Sequence, residues 1–261
     1  MKIAVSGKGG VGKTLVAGVL AEFFVRKDFN VLAIDADPAP NLALTLGIPL
    51  DEAQKIIPIS ENKELIKSKT KTGFSGVYRL SFTVDDLIEK FAVKSPCGVN
   101  LLVMGTVRSA GEGCTCPANA VVRALLQHLL VAREEAVVMD MEAGVEHMGR
   151  GTAKHVDTML IVADPSMKSL ETAKRIYGLA KEADLKRAFL VGNKVAGSRG
   201  QQAIEEFAAR NRLPLLALIP YDDVPLKADM RGETPLKYAD ESESLATIRK
   251  LGERLLQEGG P

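Results

Sequence analysis

The segment Gly7-Lys8-Gly9-Gly10-Val11-Gly12-Lys13-Thr14 gathers much of the chemistry available to this sequence into one loop, and two motifs overlap in it. Gly7, Gly9 and Gly12 fit G-x-G-x-x-G, the turn that carries dinucleotides, while Gly7, Gly12, Lys13 and Thr14 fit G-x-x-x-x-G-K-[ST], the phosphate loop of nucleoside triphosphatases. In the phosphate-loop arrangement the backbone N–H groups converge on phosphate oxygens, Lys13 neutralises the terminal phosphates and Thr14 offers its hydroxyl to Mg²⁺. In the dinucleotide arrangement Lys13 and Thr14 have no task, and an acid near the end of the second strand must hold a ribose. The Lys-Thr pair favours the triphosphate.

Hydrolysis of a triphosphate also needs a carboxylate in the metal shell and a group that orients water. Asp140 closes a strand after Ala-Val-Val-Met and suits the first task. Asp35-Ala36-Asp37-Pro38 puts two carboxylates on a loop beside the phosphates. Asp37 has the better claim on the water, and Asp35 reads equally well as a helix N-cap. Asn193 and Lys194 follow a later strand, where a carboxamide can read a purine edge, and Pro220-Tyr221 can pack against the base; turn capping is the alternative for both pairs.

These residues need a scaffold that brings them together. Short apolar runs at Lys2 to Ser6, Asn30 to Asp35, Val99 to Gly105, Ala136 to Asp140, Thr158 to Asp164, Ala188 to Asn193 and Leu215 to Pro220 alternate with helical segments at Thr14 to Arg26, Asn119 to Arg133, Ser169 to Ala183 and Gln202 to Arg212. The order predicts an α/β fold, a mostly parallel sheet with helices on both faces, and the unbroken strands fit cover on both sides. A single domain over residues 1–261 is expected, with an irregular insertion at about 55–98. Lys63, Lys67, Lys69 and Lys71 crowd that insertion, but Glu61 and Glu64 sit among them and no aromatics interleave, which fits a solvated face and not a nucleic-acid site.

Composition narrows the classes further. The chain has 261 residues, 46% of them hydrophobic, with Lys+Arg 34 against Asp+Glu 33, so it can bury a core and has no net field to attract nucleic acid or an acidic membrane. No apolar run is long enough to span a bilayer, and Met1-Lys2 leads straight into a strand, which together predict a cytoplasmic protein. Three cysteines, Cys97, Cys114 and Cys116, are too few for a disulfide framework.

With its second lysine, Lys8, the glycine loop resembles the deviant Walker A motif of the MinD-like ATPases, and the resemblance spans the whole chain. It implies ATP and Mg²⁺ as ligands of Gly7 through Leu15. It further implies a homodimer closing over two nucleotides, with Lys8 reaching the phosphates of the opposite subunit. The Asp-Ala-Asp-Pro segment resembles the first switch of the group, whose aspartate activates water, a role carried to Asp37; Asp140 through Gly144 resemble the second. Within the group, Met104-Gly105-Thr106-Val107, Gly111-Glu112-Gly113-Cys114-Thr115-Cys116-Pro117 and Asp140 through Thr152 look like the CooC/AcsF-type ATPases, which support nickel insertion into carbon monoxide dehydrogenase or acetyl-CoA synthase. That branch holds a metal between two subunits with a Cys-x-Cys pair, here Cys114 and Cys116. Leu15, where many relatives have another hydroxyl, leaves Mg²⁺ to Thr14, and Pro40 stiffens the first switch.

Side chains two apart on a helix diverge, so the two thiols can share one ion only from an extended or looped segment. Pro117 supplies that by favouring the first position of a helix, which makes Cys116 an N-cap and favours thiolate. Two thiolates are half a tetrahedral shell, and a two-fold dimer supplies the other half. Four thiolates suit Zn²⁺ best and Ni²⁺ tolerably. Two buried thiols or a redox couple is the alternative for the pair, and His147 reads as a switch or interface residue. Two other functions compete. An iron-sulfur electron-transfer ATPase of the nitrogenase iron protein type needs a cysteine just after the second switch, and Gly144 to Gly151 contain none. A membrane-associated MinD or ParA positioning ATPase needs a basic amphipathic tail, whereas the stripe Leu245, Ile248, Leu251 and Leu255 runs with Glu253, has no aromatic anchor and suits packing on the sheet.

Overall fold

Thr158-Met-Leu-Ile-Val-Ala163 and Ala136-Val-Val-Met-Asp-Met141 offer no polar face to water, and both form strands in which every residue is buried. The computed structural model describes residues 1–37, 41–65, 88, 90–105, 125, 126, 129, 136–142 and 155–258. Along the chain these form β1 (Lys2–Gly7), α1 (Lys13–Arg26), β2 (Val31–Ala36), α2 (Leu42–Thr45), α3 (Leu50–Ala53), β3 (Val93–Lys94), β4 (Asn100–Val103), β5 (Ala136–Met141) and β6 (Thr158–Ala163). They continue as α4 (Met167–Glu182), β7 (Ala188–Val195), α5 (Gly197–Asn211), β8 (Leu215–Pro220), α6 (Val224–Met230) and α7 (Glu243–Glu258).

The strands make one eight-stranded sheet in the order β3-β4-β2-β5-β1-β6-β7-β8. All neighbours are parallel except β3 and β4. Two apolar layers cover it. On one face Val16, Leu20 and Phe24 of α1 and Leu245, Ile248 and Leu251 of α7 meet Val5, Ala33 and Val138. On the other, Leu170, Ala173 and Ile176 of α4 and Ile204 and Phe207 of α5 meet Ala4, Val137 and Met159. Strand order reverses at β1, between β5 and β6, and the crevice beyond the carboxyl ends of the strands there is where open α/β sheets bind ligands.

Each run read as a strand from the sequence is one. β3 escapes sequence reading because two residues carry no periodicity. Helix α5 starts at Gly197, ahead of the expected Gln202, because Gly197-Ser198-Arg199-Gly200 has no apolar face to announce it. Of the expected helix at 119–133 only Leu125, Leu126 and Leu129 are described, all buried. The described ends of the 55–98 region are tied into the scaffold: Ile59, Leu65 and Ile88 lie in the core, and the Ser60 N–H donates to the Met104 carbonyl at 3.0 Å.

The C-terminal stripe is fully used inside the protein. Leu245, Ile248, Leu251 and Leu255 are each at most 1% exposed, and no described helix is long and apolar enough to cross a membrane. Arg249 on the same helix pairs with the buried Glu22 of α1 at 3.1 Å. Leu251→Ala should therefore cost about 2–5 kcal/mol in urea-unfolding stability, the range for truncating a fully buried leucine.

Candidate active site

The loop between β1 and α1 is shaped by two close approaches. A Cβ on Gly7 would lie 2.2 Å from the Val162 carbonyl oxygen of β6, and one on Gly12 would lie 2.3 Å from Asn193 Nδ2, with Gly12 in the left-handed region at φ +94°. Helix α1 follows with no capping side chain and no acid in its first turn. Its leading N–H groups are thus left for an anion, with the helix dipole pointing the same way. The loop is held from behind by the end of β7: Asn193 Nδ2 donates to the Val11 carbonyl at 2.7 Å and Lys194 Nζ to that of Gly10 at 2.8 Å. Lys8, Gly9 and Gly10 form its exposed outer rim.

Lys13 is 6% exposed, and its ammonium stands 3.8 Å from Asp37 Oδ2. Asp35 and Asp140 are register partners on β2 and β5, on the face that α1 covers, and both are fully buried. Burial pushes the Asp35 carboxyl up to about 6, against the N–H groups of Leu42 and Asp37 that donate to it at 3.0 and 3.2 Å. Asp35 is not the N-cap of α2, a position held by Asn41 with no side-chain capping bond; it accepts the Leu42 N–H that opens α2 and fixes the turn into Asp37. Burial pushes Asp140 higher, to about 7; the Thr14 hydroxyl and Lys13 oppose this, while Asp35 and Asp37 add to it. Neither oxygen of Asp140 has a hydrogen-bond partner of good geometry among the described residues. A buried, unfilled carboxylate beside a threonine hydroxyl is a hard-oxygen donor set, and it fits Mg²⁺ held together with phosphate.

Beyond Gly12 a cleft of about 330 Å³ opens, lined by Leu15, Asn193, Lys194, Pro220 and Tyr221. The sequence-selected residues for the base thus share one cavity with the phosphate loop. Asn193 also uses its amide nitrogen to hold the loop, a task the sequence did not announce. The same cleft is walled by Asp222, Pro225, Leu226, Asp229 and Ser244. Asp222 to Leu226 could have been found by extending the Pro220-Tyr221 turn, whereas Ser244 is distant in sequence and carries no motif.

Cys114, Cys116 and His147 lie outside the described residues, as do Pro38 to Pro40 and Gly144 to Thr152. Among the described residues no group of three or more His, Cys, Asp or Glu side chains forms a metal cluster. Cys97 is a half-buried free thiol, its Sγ 3.2 Å from Ser95 Oγ.

Residues 2–236 match the family model described as the CobQ/CobB/MinD/ParA nucleotide binding domain. The chain is 43% identical to the carbon monoxide dehydrogenase accessory protein CooC of Rhodospirillum rubrum over 236 residues, 89% of this chain and 88% of that one. The chain is a MinD/ParA-family ATPase of the CooC type. It is also 41% identical to an ATP-binding protein of Methanocaldococcus jannaschii, over 89% of this chain and 90% of that protein. In fold it is similar to a ParA family ATPase from Chlorobium tepidum, with TM-score 0.71, 20% identity and coverage of 97% and 98% of the two chains. The family sets the dinucleotide alternative aside, and with it any need for an acid that holds a ribose at the end of β2.

For this CooC-type ATPase the buried carboxylates give a signed pH dependence. The folded chain keeps protons on Asp35 and Asp140 up to about pH 6 and 7, whereas the unfolded chain releases them near the ordinary value of 3.8. Between those values the folded state binds more protons, so stability falls as pH rises through the window. Thermal melts without nucleotide or Mg²⁺ should show Tm dropping between pH 5 and 7.5. Asp140→Asn should flatten the upper part of that drop and abolish hydrolysis. Gly12→Ala should abolish ATP binding, read by calorimetry.

Proposed function

We propose that this chain is an ATP-driven maturation factor of the cytoplasm that supports nickel insertion into carbon monoxide dehydrogenase or acetyl-CoA synthase. The observation that carries the proposal is the 43% identity to CooC over most of both chains. The order of events follows from the residues. The N–H groups of Gly9 to Thr14 and the Lys13 ammonium bind the β- and γ-phosphates, and the base enters the cleft at Leu15, Asn193, Lys194, Pro220 and Tyr221. Thr14 and Asp140 would hold Mg²⁺, which when bound neutralises phosphate charge. Once phosphate takes the Lys13 ammonium, Asp37 is released from it and can accept a hydrogen bond from the attacking water.

Lys8 is held back for a second copy. Its place on the exposed rim of the loop lets it approach the nucleotide of a facing subunit and supply positive charge there, as an arginine finger does. Each subunit of this homodimer brings Cys114 and Cys116, and the four thiolates carry one Ni²⁺ or Zn²⁺ as cargo. The cargo segment begins beside the nucleotide, because the Met104 N–H donates to the Asp35 carbonyl at 2.8 Å just before the chain runs on toward the cysteines. Closure on ATP sets the thiolate spacing, and hydrolysis reopens it for delivery to the client enzyme.

The test is nickel and zinc content with mass in solution, for anaerobic wild type and Cys114→Ala/Cys116→Ala, each with and without ATP. One ion per dimer, lost in the double variant while ATP binding survives, is the expected outcome. Equal metal content in both chains, or none in either, would remove the metal-carrier role. Lys8→Ala should lower hydrolysis by about 10³-fold, as loss of an arginine finger does, with the ATP dissociation constant changed less than about threefold.

A further inference from the structure

Four donors of this chain converge on the carboxylate of Asp222, in the turn between β8 and α6. Oδ1 accepts the Val224 N–H at 2.9 Å. Oδ2 accepts the hydroxyl of Ser242 at 2.5 Å and both the hydroxyl and the N–H of Ser244, at 3.0 and 3.2 Å. Both serines are 3% exposed. Burial alone would raise the pKa of Asp222, yet these hydrogen bonds hold it below its usual value. Ser242 serves α7 as well, since its Oγ accepts the Leu245 N–H at 3.2 Å. The first turn of α7 and the wall of the base cleft therefore share one carboxylate, placed where a helix N-terminus favours negative charge.

The rest of the wall is held by a strand pairing that twice breaks register. β8 is the last strand of the sheet, and its pairing with β7 shifts register between Leu190 and Val191 and again between Gly192 and Val195. Beyond that shift the backbone is tied at Val195 by its pairing with Pro220 and by the Tyr221 N–H, which donates to the Val195 carbonyl at 2.9 Å. Helix α7, in contrast, is buried along one side and fastened to α1 by Arg249 and Glu22. Since α1 opens with Lys13 and Thr14, one helix frames the phosphate end of the site through α1 and the base end through Asp222.

We propose that Asp222 is a positioning residue for the nucleoside half of the site, setting the distance between the base wall and the phosphate loop by locking the β8–α6 turn onto α7 through Ser242 and Ser244. It does not read the base, because Oδ2 is crowded by three internal donors and Oδ1 is turned to Val224. The inference rests on the base lying in the cleft beside Tyr221.

The test compares ATP dissociation constants and hydrolysis kinetics for wild type, Asp222→Ala, Ser242→Ala/Ser244→Ala, the triple variant and Tyr221→Ala. Asp222→Ala and the double serine variant should each raise KM and the dissociation constant for ATP about tenfold, with kcat at saturating ATP within about twofold. The triple variant should be no worse than Asp222→Ala, since all remove one knot. Lower kcat at unchanged KM would overturn the proposal, because a knot that only supports the fold reduces the active fraction and not the affinity. If Asp222→Ala does not fold, the double serine variant decides on the same criterion. Weakened ATP binding in Tyr221→Ala alone leaves the base in the cleft and refutes the knot. Unchanged binding in Tyr221→Ala, Asp222→Ala and the serine variant removes the base from the cleft and the proposal with it.

Discussion

Asp35 and Asp140 face each other across one parallel ladder, fully buried, with Asp37 and the ammonium of Lys13 as their nearest charged company among the described residues. The register of β2 on β5 leaves them no other place. Burial raises the pKa of the two deepest carboxyls, with Asp37 adding to the rise in both and Lys13 opposing it at Asp140. The adjoining loop has the opposite need, with uncapped N–H groups at the start of α1 and a buried lysine. A triphosphate with a divalent cation would answer both, offering anionic oxygens to the loop and a cation to the carboxylates.

The remaining architecture keeps these two halves at the correct separation. Gly7 lets β1 run against β6 without a side chain between them, and Gly12 lets the loop lie on Asn193. Asn193 and Lys194 hold the loop from the carboxyl end of β7, so the strand that lines the cleft beyond Gly12 also shapes the glycine loop. Helix α7 closes the frame from the other side, its apolar stripe spent on α1 and the sheet.

The strands and the phosphate loop were legible because their signals are local: unbroken aliphatic runs, and glycines with a lysine and a threonine at fixed spacing. The cleft was half legible. Pro220-Tyr221 and Asn193-Lys194 stand at strand ends, where α/β sheets gather their ligands, while Ser244 reaches the same cavity only through the fold of α7. Asp35 was ambiguous for a physical reason, since a carboxylate ahead of a helix reads the same whether it caps or catalyses. Its hydrogen bonds to Leu42 and Asp37 give it a structural task at the start of α2, while the N-cap position itself falls to Asn41. The second task of Asn193 was invisible because a side-chain bond to a loop 182 positions away leaves no pattern in sequence.

In a parallel sheet the chain leaves every strand at the same edge, and that gives the proposed cycle a physical route. β4, β2, β5 and β1 are neighbours, and from their carboxyl ends issue, in that order, the segment bearing the cysteines, the Asp37 turn, the segment after Asp140 and the glycine loop. Hydrogen bonds already tie them in pairs: the Met104 N–H donates to the Asp35 carbonyl, and the Ser6 hydroxyl to the Glu142 carbonyl at 2.9 Å. A shift of Asp37 when phosphate claims Lys13 bears directly on Asp35, whose side chain accepts the Asp37 N–H and whose carbonyl receives Met104. In the proposed cycle a movement of Asp37 lies only one hydrogen bond beyond β2 from Met104, after which the chain runs on to the cysteines. Coupling of nucleotide to metal in the proposed cycle requires no long pathway, only the adjacency of strand ends that the sheet order imposes.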